Sequence, residues 1–533
     1  EAYRAYYLRL IRNFNLNTLT AMPLPAPIQG ASIHLVGIKG TGMSALAEVL
    51  VRRGARITGS DVAEVFYTDE LLQAIDVSPK IGFAPEHIPE DAGAVIYSAA
   101  YDPKANPELR AATERGLPLL SYTEALGALS QEAQSAGAPT VAVAGVHGKT
   151  TTTALLGTVM QGLEVPGTVI VGSAVRSFGG AATYTRGPEI LVAETCEYRR
   201  NFLDYSPSVI LLTAVEADHL DYYRDYQDVL SAFVSFGERL AKEGLLVYCG
   251  DDAGACEAAS EIRARRPDLR TLSYGFSGAS DVAISDYALR MEETSEGPRG
   301  VQEFRVTGID ELFRLRVPGK HMVQNAAGAL AVLLFEPYLR RYLVGGEGPE
   351  AKAEAKPKPK PQSFPRRLIA EALASFAGTT RRSEYLGTAG GIRFLDDYGH
   401  HPTAIRKTLE TYREFYGARR LIVDFMSHTY SRTAALLAEF ATAFEAADVV
   451  ILHKIYASAR EQYSGSISGK DLAAAVAEHH AEVHYFEEIL DCFDFCRKLL
   501  RSGDLFVTLG AGNNWILGRE LLSHFAGQTV QTR

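Results

Sequence analysis

A glycine turn followed by lysine and threonine carries the clearest chemistry in this sequence. Its residues are Val141-Ala-Val-Ala-Gly145-Val146-His147-Gly148-Lys149-Thr150-Thr151-Thr-Thr153. Such a turn, after an apolar strand and before a helix, aims backbone N–H groups at phosphate, while the lysine adds positive charge and the threonine hydroxyl can bind Mg²⁺. The general phosphate-loop pattern has glycine five residues before Gly148, where this chain has Val143, so the segment is a shortened variant. A chance Gly-Lys-Thr in a surface loop is the alternative.

Acidic side chains and a histidine follow the next predicted strands. Glu194 ends one apolar run, and His219 follows another. Because ligands collect at the carboxyl ends of parallel strands, we expect both to lie near the mouth of the phosphate turn, where they can hold Mg²⁺ ions that bridge phosphate oxygens. Glu194 could instead be a surface carboxylate. Glu197, Glu216 and Asp218 could equally serve supporting or helix N-terminal roles.

Two polar strand exits occur in the last third of the chain. They are Asp397-Tyr398-Gly-His400-His401-Pro and Ser427-His428-Thr-Tyr-Ser-Arg432-Thr. Arginine pairs with carboxylate or phosphate, and histidine exchanges protons near neutral pH. We therefore expect these exits, on neighbouring strands, to form a site for an anion and an amine. A buried structural corner is the alternative for each.

An earlier glycine turn has the layout of a nucleotide-binding βαβ unit. After an apolar strand at 33–36, its residues are Gly37-Ile-Lys39-Gly40-Thr41-Gly42-Met43-Ser44. A helix pattern follows at 45–53, the next strand ends in Asp61, and a further strand ends at Ser98. This order predicts a nucleotide-binding fold. Since Lys39 replaces one of the usual glycines, a plain structural turn is the alternative.

The pattern of elements predicts three α/β units, at 1–137, 138–375 and 376–533, with the polar stretch 130–138 as the first linker. Strand-like runs alternate with helical patterns and predict mostly parallel sheets. In the middle unit these runs are 189–193, 209–213 and 245–248, and in the third they are 391–395, 420–424, 449–453 and 504–509. The stretch 344–365 is rich in proline and lysine, which predicts an exposed, semi-extended insertion, with a cationic docking strip as the alternative.

Composition limits the class of protein. The 533 residues carry 22% charged side chains and a net charge of -10, which argues against a nucleic-acid surface. Five cysteines without zinc-type spacing favour a reducing cytoplasm. No apolar run reaches the roughly 18 residues of a membrane helix, and the first 15 residues predict a short amphipathic helix instead of a signal peptide. We expect a cytoplasmic protein without membrane insertion, of unknown oligomeric state.

Taken together, these segments resemble the Mur ligases of peptidoglycan synthesis from about residue 33 to 517. Further marks of the resemblance are Glu216-Ala-Asp-His-Leu-Asp221, Ile455-Tyr-Ala-Ser-Ala-Arg-Glu461 and Gly510-Ala-Gly512. The resemblance implies a Rossmann-like N-terminal domain for a UDP-sugar, a central phosphate-loop ATPase-like domain, and a mobile, Rossmann-like C-terminal domain that closes over the amino acid. It also implies ATP-dependent joining of L-alanine to the lactyl carboxylate of UDP-N-acetylmuramate, with ATP and Mg²⁺ required and no nucleic-acid partner.

The resemblance also assigns roles to residues. Lys149 would contact the β- and γ-phosphates, Thr150 and Glu194 would hold Mg²⁺, and His219 would serve a second metal or the acyl-phosphate end. Asp397, Tyr398, His400 and His401 would line the cleft that the third domain closes, with His400 among the catalytic residues. His428 and Arg432 would approach the incoming alanine or the substrate carboxylate. The UDP-sugar set is Gly37, Gly40, Thr41, Gly42, Met43, Ser44, Asp61 and Ser98. The ATP set is Gly145, Val146, His147, Gly148, Lys149, Thr150, Thr151, Asn325, Asp397 and Tyr398.

The sequence departs from the family pattern near the nucleotide. The departures are Val146, Ala214, Met322, Thr429 and Asn513, where the family usually has Thr, Asn, Asn, Arg and Asp. Three alternatives stay open: a ligase that recycles whole tripeptides, a non-catalytic nucleotide-binding homologue, and a generic phosphate-loop ATPase that acts on a protein. Against the recycling ligase, the run 428–433 favours a single alanine as the substrate. Against the non-catalytic homologue, the chain has the four residues Lys149, Thr150, Glu194 and His219. The generic ATPase does not explain the first glycine turn.

Overall fold

The computed structural model describes residues 24–219, 222–294, 298–343, 363–457 and 467–527. The helix predicted at the N-terminus and most of the predicted insertion at 344–365 lie outside these ranges, as do 220–221 and 458–461 of the family marks. Within them, no helix has both the length and the apolar character needed to cross a membrane.

The first unit is built on a parallel sheet whose order, in the described residues, is β3-β2-β1-β4-β5. Its central strand is buried along its whole length, as expected for a sheet covered on both faces. The elements are β1 Ser32–Val36, α1 Thr41–Arg52, β2 Arg56–Asp61, α2 Thr68–Ala74, β3 Lys80–Ile81, β4 Ala94–Tyr97, α3 Pro107–Glu114, β5 Leu119–Ser121 and α4 Tyr122–Ser135. The first glycine turn lies between β1 and α1, as predicted.

The middle unit has a larger sheet, ordered β15-β14-β13-β12-β11-β10-β6-β9-β7-β8 within the described ranges. The predicted parallel strands form its centre, but β7 with β8, and β13 to β15, add antiparallel pairs that the sequence did not predict. The strands are β6 Thr140–Ala144, β7 Thr168–Ile170, β8 Thr183–Thr185, β9 Leu191–Glu194, β10 Val209–Leu212, β11 Leu245–Cys249, β12 Arg270–Gly275, β13 Val282–Glu292, β14 Arg299–Val306 and β15 Ile309–Leu315. The helices are α5 Lys149–Gly162, α6 Tyr226–Glu238, α7 Ala253–Arg265, α8 Lys320–Phe335, α9 Pro337–Leu343 and α10 Ser363–Ser375.

The third unit has a sheet ordered β16-β17-β21-β18-β19-β20 in the part of the chain that is described. The strands are β16 Glu384–Ala389, β17 Ile392–Asp397, β18 Leu421–Met426, β19 Val449–Leu452, β20 Val483–Tyr485 and β21 Leu505–Gly510. The helices are α11 Pro402–Tyr416, α12 Tyr430–Ala435, α13 Leu437–Ala441, α14 Gly469–Ala477, α15 Phe493–Leu499 and α16 Trp515–Phe525. The prediction that the two polar exits follow neighbouring strands was wrong, because β21 lies between β17 and β18.

Two predicted connections also differ from the structure. The stretch 130–138 is not a linker along its length, since α4 continues to Ser135 and buries Leu129 and Ala133. The predicted insertion at 344–365 extends too far, because α10 begins at Ser363. The unit boundaries themselves stay predictions.

Candidate functional site

The phosphate turn joins β6 to α5, so the N-terminus of α5 opens directly from the turn. Gly145 and Gly148 have φ angles of 135° and 80°, a region that favours glycine. A Cβ on Gly148 would lie 2.8 Å from the Asn325 side chain, so α8 closes tightly against the turn. The Val146 N–H donates to the Ala214 carbonyl at 2.9 Å. The turn is therefore fixed by its neighbours, and its backbone geometry is suited to phosphate.

Lys149 is held by an acidic partner in the structure. Its ammonium group lies 2.8 and 3.1 Å from the two carboxylate oxygens of Glu197 and donates to the Gly145 carbonyl at 2.5 Å. The two side chains are only 13% and 3% exposed. Burial opposes both charges, but the pair raises the pKa of Lys149 and lowers that of Glu197. A phosphate that binds here must therefore compete with a buried carboxylate.

Glu197 also organises the surroundings of His219. The His219 Nε2 atom lies 3.5 Å from a Glu197 oxygen, and its ring packs on Tyr198 with centroids 4.8 Å apart. The Tyr223 hydroxyl donates to the Glu197 carbonyl. The sequence left the role of Glu197 open, although its position three residues after Glu194 was the available signal. In the structure Glu197 contacts both Lys149 and His219.

The predicted Mg²⁺ ligands Thr150 and Glu194 lie together. The Thr150 hydroxyl donates to Glu194 Oε1 at 2.9 Å, and the Gly172 N–H donates to Oε2 at the same distance. Adjacent ligands in an octahedron with bonds of 2.0–2.1 Å stand about 2.9 Å apart, so these hard oxygen donors fit Mg²⁺. His219 belongs to the same region but contacts Glu197, not Glu194.

A cavity of about 180 Å³ connects the first glycine turn with this site. Gly42 borders it on one side and Glu194 on the other. Its remaining lining residues are Tyr122, Thr123, Leu126, Gly172, Thr195, Cys196, Asn201, Phe202 and Tyr205. A Cβ on Gly42 would lie 2.8 Å from the Tyr122 ring, so the helix α1 can approach the cavity only with glycine here. The cavity can hold a group that bridges the first and middle units.

The remaining predicted residues of the first turn support its backbone. Asp61 accepts the Lys39 N–H at 2.7 Å and the Tyr101 hydroxyl at 3.1 Å. Thr41 shares a hydrogen bond of 2.8 Å with the Tyr67 hydroxyl. Met43 and Ser44 are buried. The Ser98 hydroxyl accepts the N–H of Ala100. Gly37, with a φ of 79°, packs closely against Tyr101 and Ser98, whereas Gly40 is exposed.

The two polar exits of the third unit meet despite the intervening strand. The rings of His400 and His428 are 6.2 Å apart, and Arg432 Nη1 lies 3.4 Å from His428 Nδ1. Burial and the Arg432 charge lower the pKa of His400 to about 3, so its ring is neutral. Because His400 Nδ1 faces the Tyr398 carbonyl at 3.0 Å, we assign the proton to Nδ1. Nε2 then carries a lone pair.

Asp397 and Tyr398 have structural contacts in this corner. Both oxygens of Asp397 accept backbone N–H groups, from Ser383 at 2.6 Å and from Gly399 at 2.8 Å. The guanidinium groups of Arg381 and Arg382 each lie 5.2 Å from the centroid of the Tyr398 ring. Sequence reasoning missed Arg381, which binds the carbonyls of Gly510 and Gly512 at 2.5 and 2.9 Å.

At the mouth of the cleft, His147 pairs with Glu216 at 2.5 Å, and both side chains are more than half exposed. Asp218 accepts the N–H of His219 at 2.6 Å, while Thr151 is buried in the first turn of α5. Glu216 and Asp218 also act electrostatically on His401 of the third unit. His401 of the third unit therefore lies close to the phosphate turn.

Family models cover most of the chain: the catalytic domain of the Mur ligase family matches residues 32–134, the Mur ligase middle domain matches 143–333, and the glutamate ligase domain of Mur ligases matches 381–512. The chain belongs to the Mur ligase family, and the predicted resemblance is confirmed. Its fold of three α/β domains, two Rossmann-like and one phosphate-loop ATPase-like, is confirmed as well.

Individual relatives and solved structures agree with this assignment. A UDP-N-acetylmuramate–L-alanine ligase of Treponema pallidum is 45% identical over 502 residues, covering 94% of this chain and 98% of the relative. One from Desulfitobacterium hafniense is 36% identical and covers 92% and 99%. The crystal structure of a UDP-N-acetylmuramate-alanine ligase from Thermotoga maritima has a TM-score of 0.72 at 23% identity and covers 93% and 99%. This last likeness shows the fold.

Proposed function

We propose that this chain is an ATP-dependent ligase that joins L-alanine to the lactyl carboxylate of UDP-N-acetylmuramate. The observation that carries the proposal is the 45% identity to an enzyme of that name across nearly the whole of both chains. The geometry supports it, because one cavity is lined both by Gly42 of the nucleotide-type glycine turn and by Glu194, which accepts the Thr150 hydroxyl at the start of α5. The specific residue roles below are part of the proposal.

The chemistry required is the activation of a poor electrophile. The lactyl carboxylate attacks the γ-phosphorus of ATP, ADP leaves, and an acyl phosphate forms. The alanine amine then attacks the acyl carbon, inorganic phosphate leaves with its electron pair, and the amine loses a proton. Positioning and charge stabilisation supply most of the rate in such transfers.

Lys149 exchanges partners in this scheme. In the structure its ammonium group is paired with Glu197, and ATP would draw it towards the β- and γ-phosphates at the start of α5. Thr150 and Glu194 would hold Mg²⁺, which spreads the negative charge that develops on the transferred phosphoryl group. Asn325, packed on Gly148, would help to shape the nucleotide side of the turn.

The sugar nucleotide would lie between the first and middle units. Its diphosphate would bind the backbone of the Gly37–Ser44 turn, and the muramyl group would occupy the cavity between Gly42 and Glu194. This position brings the lactyl carboxylate to the phosphate end of ATP. The proposed domain extents are 1–137, 138–375 and 376–533.

The third unit would receive alanine. Arg432 would pair with its carboxylate, because a guanidinium forms two parallel hydrogen bonds with a carboxylate. The neutral His400 can accept a hydrogen bond from the amine through the lone pair of Nε2. His428, between these two groups, would complete the pocket.

Phosphate release with purified protein, UDP-N-acetylmuramate and ATP tests the function. Release that requires alanine supports the proposal. Release that requires the tripeptide instead would identify a recycling ligase. Release without an amine would point to a simple ATPase, and no release with bound nucleotide would point to a non-catalytic homologue.

A further inference from the structure

Tyr456, a residue outside every set assigned above, joins the first unit to the amine-side corner. Its hydroxyl donates to the Glu64 carboxylate at 2.6 Å, across the interface between the third and first units. Burial, together with the Glu64 carboxylate, raises the pKa of Tyr456, so the hydroxyl stays protonated and remains a donor at neutral pH. The contact is therefore a charge-assisted hydrogen bond, a strong type.

The backbone of the same residue holds the His428 segment on both sides. The Tyr456 N–H donates to the Ser427 carbonyl at 2.8 Å, and its carbonyl accepts the Thr429 N–H at 3.0 Å. The rings of Tyr456 and His428 lie nearly parallel, with centroids 5.9 Å apart. Thr429 has a φ of 70°, which is unfavourable for a β-branched residue, so the surroundings must hold the segment in this shape.

On the other side of the interface, Glu64 is tied to the first glycine turn. Lys39, the residue that replaces a glycine in that turn, donates from its ammonium group to the Glu64 carbonyl at 2.9 Å and pairs with Asp69 at 3.1 Å. Its own carbonyl accepts the Thr68 hydroxyl at 2.5 Å. The lysine thus fastens the 62–69 loop to the turn that would bind the diphosphate.

We propose that Tyr456 is a positioning residue through which the first unit, held at Glu64, fixes the His428 segment for the amine substrate. This inference rests on the proposed function for its substrate, but the contact itself can be tested without catalysis. Lys39 couples the first turn to the Glu64 loop, and Tyr456 couples that loop to the His428 segment. The position of the His428 segment therefore depends on the position of the first unit. The alanine pocket is therefore complete only when the first and third units meet.

The kinetic test compares the wild type with Tyr456→Phe, Glu64→Gln and the double variant. The KM for alanine is measured at saturating ATP and UDP-N-acetylmuramate, and the KM for ATP at saturating alanine and UDP-N-acetylmuramate. Phenylalanine keeps the ring beside His428 and removes only the hydroxyl. We expect Tyr456→Phe to raise the KM for alanine about tenfold or more, as for loss of a hydrogen bond to a charged group. Glu64→Gln should raise it less, because its amide oxygen still accepts the hydroxyl, and the KM for ATP should stay unchanged within twofold in both. The double variant should match Tyr456→Phe, because once the hydroxyl is gone the Glu64→Gln change has no hydrogen bond left to weaken.

Glu70→Gln is the matched control. Glu70 also crosses to the third unit, where it pairs with Arg519 at 3.3 Å, but it is 72% exposed and touches no part of the His428 segment. It should change the KM for alanine less than twofold. An unchanged KM in Tyr456→Phe, or additive effects in the double variant, would overturn the proposal.

Hydrogen exchange of the free proteins supplies a readout that does not depend on ligation. Backbone amides of 427–436 should exchange faster in Tyr456→Phe and Glu64→Gln than in the wild type, and at the wild-type rate in Glu70→Gln. Equal exchange in all four proteins would overturn the positioning role. If the wild type releases no phosphate with alanine, the proposed function fails, while the exchange comparison still decides the role of Tyr456.

Discussion

Replacing Glu197 by glutamine tests the proposed exchange of partners at Lys149. The change keeps the size of the side chain and removes the charge that balances a lysine only 13% exposed. Removing one partner of a buried ion pair costs about 3–5 kcal/mol. Lys149 keeps its bond to the Gly145 carbonyl, and the new amide oxygen can still accept, so we expect a loss at the lower end of that range, about 3 kcal/mol of unfolding free energy.

ATP should restore much of that stability. In the wild type the phosphates must displace Glu197 from Lys149, whereas in Glu197→Gln they find a buried cation without a charged partner. A ligand stabilises the folded state more when it binds that state more tightly. The rise in melting temperature on adding ATP should therefore be larger in Glu197→Gln than in the wild type. Paired thermal melts with and without ATP measure it.

Glu216→Gln is the matched control for this experiment. It removes the carboxylate that pairs with His147 at the same turn, but that pair is more than half exposed, and such pairs contribute about 0–1 kcal/mol. Glu216→Gln should keep the melting temperatures with and without ATP within about a degree of the wild-type values. A Glu197→Gln protein with wild-type stability and a wild-type response to ATP would refute the view that Glu197 and phosphate compete for Lys149.

Three further changes test other parts of the site and its support. Glu194→Gln should raise the Mg²⁺ concentration needed for half-maximal activity at least tenfold, because an amide carries no charge for a hard cation; an unchanged magnesium titration would show that Glu194 is not a ligand. Arg432→Lys should raise the KM for alanine more than that for ATP, since a point charge cannot reproduce the bidentate fork, and equal changes in the two values would count against its place at the amine. Burial opposes charge on His453, but Asp424 at 2.6 Å raises its pKa to about 10. The charged His453 therefore contributes its full stabilisation of the folded state below about pH 6.5, and this contribution is lost as the pH rises towards 10. Urea melts across pH 7–10 should show a fall of the order of 3 kcal/mol in the wild type and a flatter profile in His453→Gln; parallel profiles would contradict the assignment.

Local patterns in the sequence were sufficient for the strands that end at the site. The apolar run at 141–144 and the glycines after it define β6 and the turn, because few residues other than glycine adopt the positive φ angles of Gly145 and Gly148. The same holds for the turn after β1. Such segments are predictable because the apolar run, the glycines and the helix pattern all favour the same structure.

Other features depend on distant parts of the chain. β21 is a late strand inserted between β17 and β18, and no local pattern contains that order. The polar end of α4 looked like a linker, yet Leu129, Ser130 and Ala133 are buried there while Gln131 and Glu132 are exposed. β13 and β14 pair with a register shift between Ser285 and Ala288, which breaks the alternation that identifies a strand.

The roles of Glu197 and Tyr456 could not be predicted for the same reason. Glu197 matters because it meets a lysine 48 residues earlier in the chain. Tyr456 matters because it meets Glu64, 392 residues away. The position of Glu197 after Glu194 and that of Tyr456 in the family mark at 455–461 single these residues out, but neither position shows the distant partner. Only the folded arrangement reveals the contact.

Isotope transfer tests the central claim most directly. UDP-N-acetylmuramate labelled with ¹⁸O in its lactyl carboxylate is incubated with ATP, alanine and the protein, and both products are analysed by mass spectrometry. If the carboxylate attacks the γ-phosphorus and the amine then displaces phosphate, one labelled oxygen must appear in the inorganic phosphate and one must remain in the amide product, and Lys149→Ala should form neither product at more than about a tenth of the wild-type rate. Unlabelled phosphate, released with or without alanine, would contradict the account, because the phosphoryl group would then have passed to water instead of to the carboxylate.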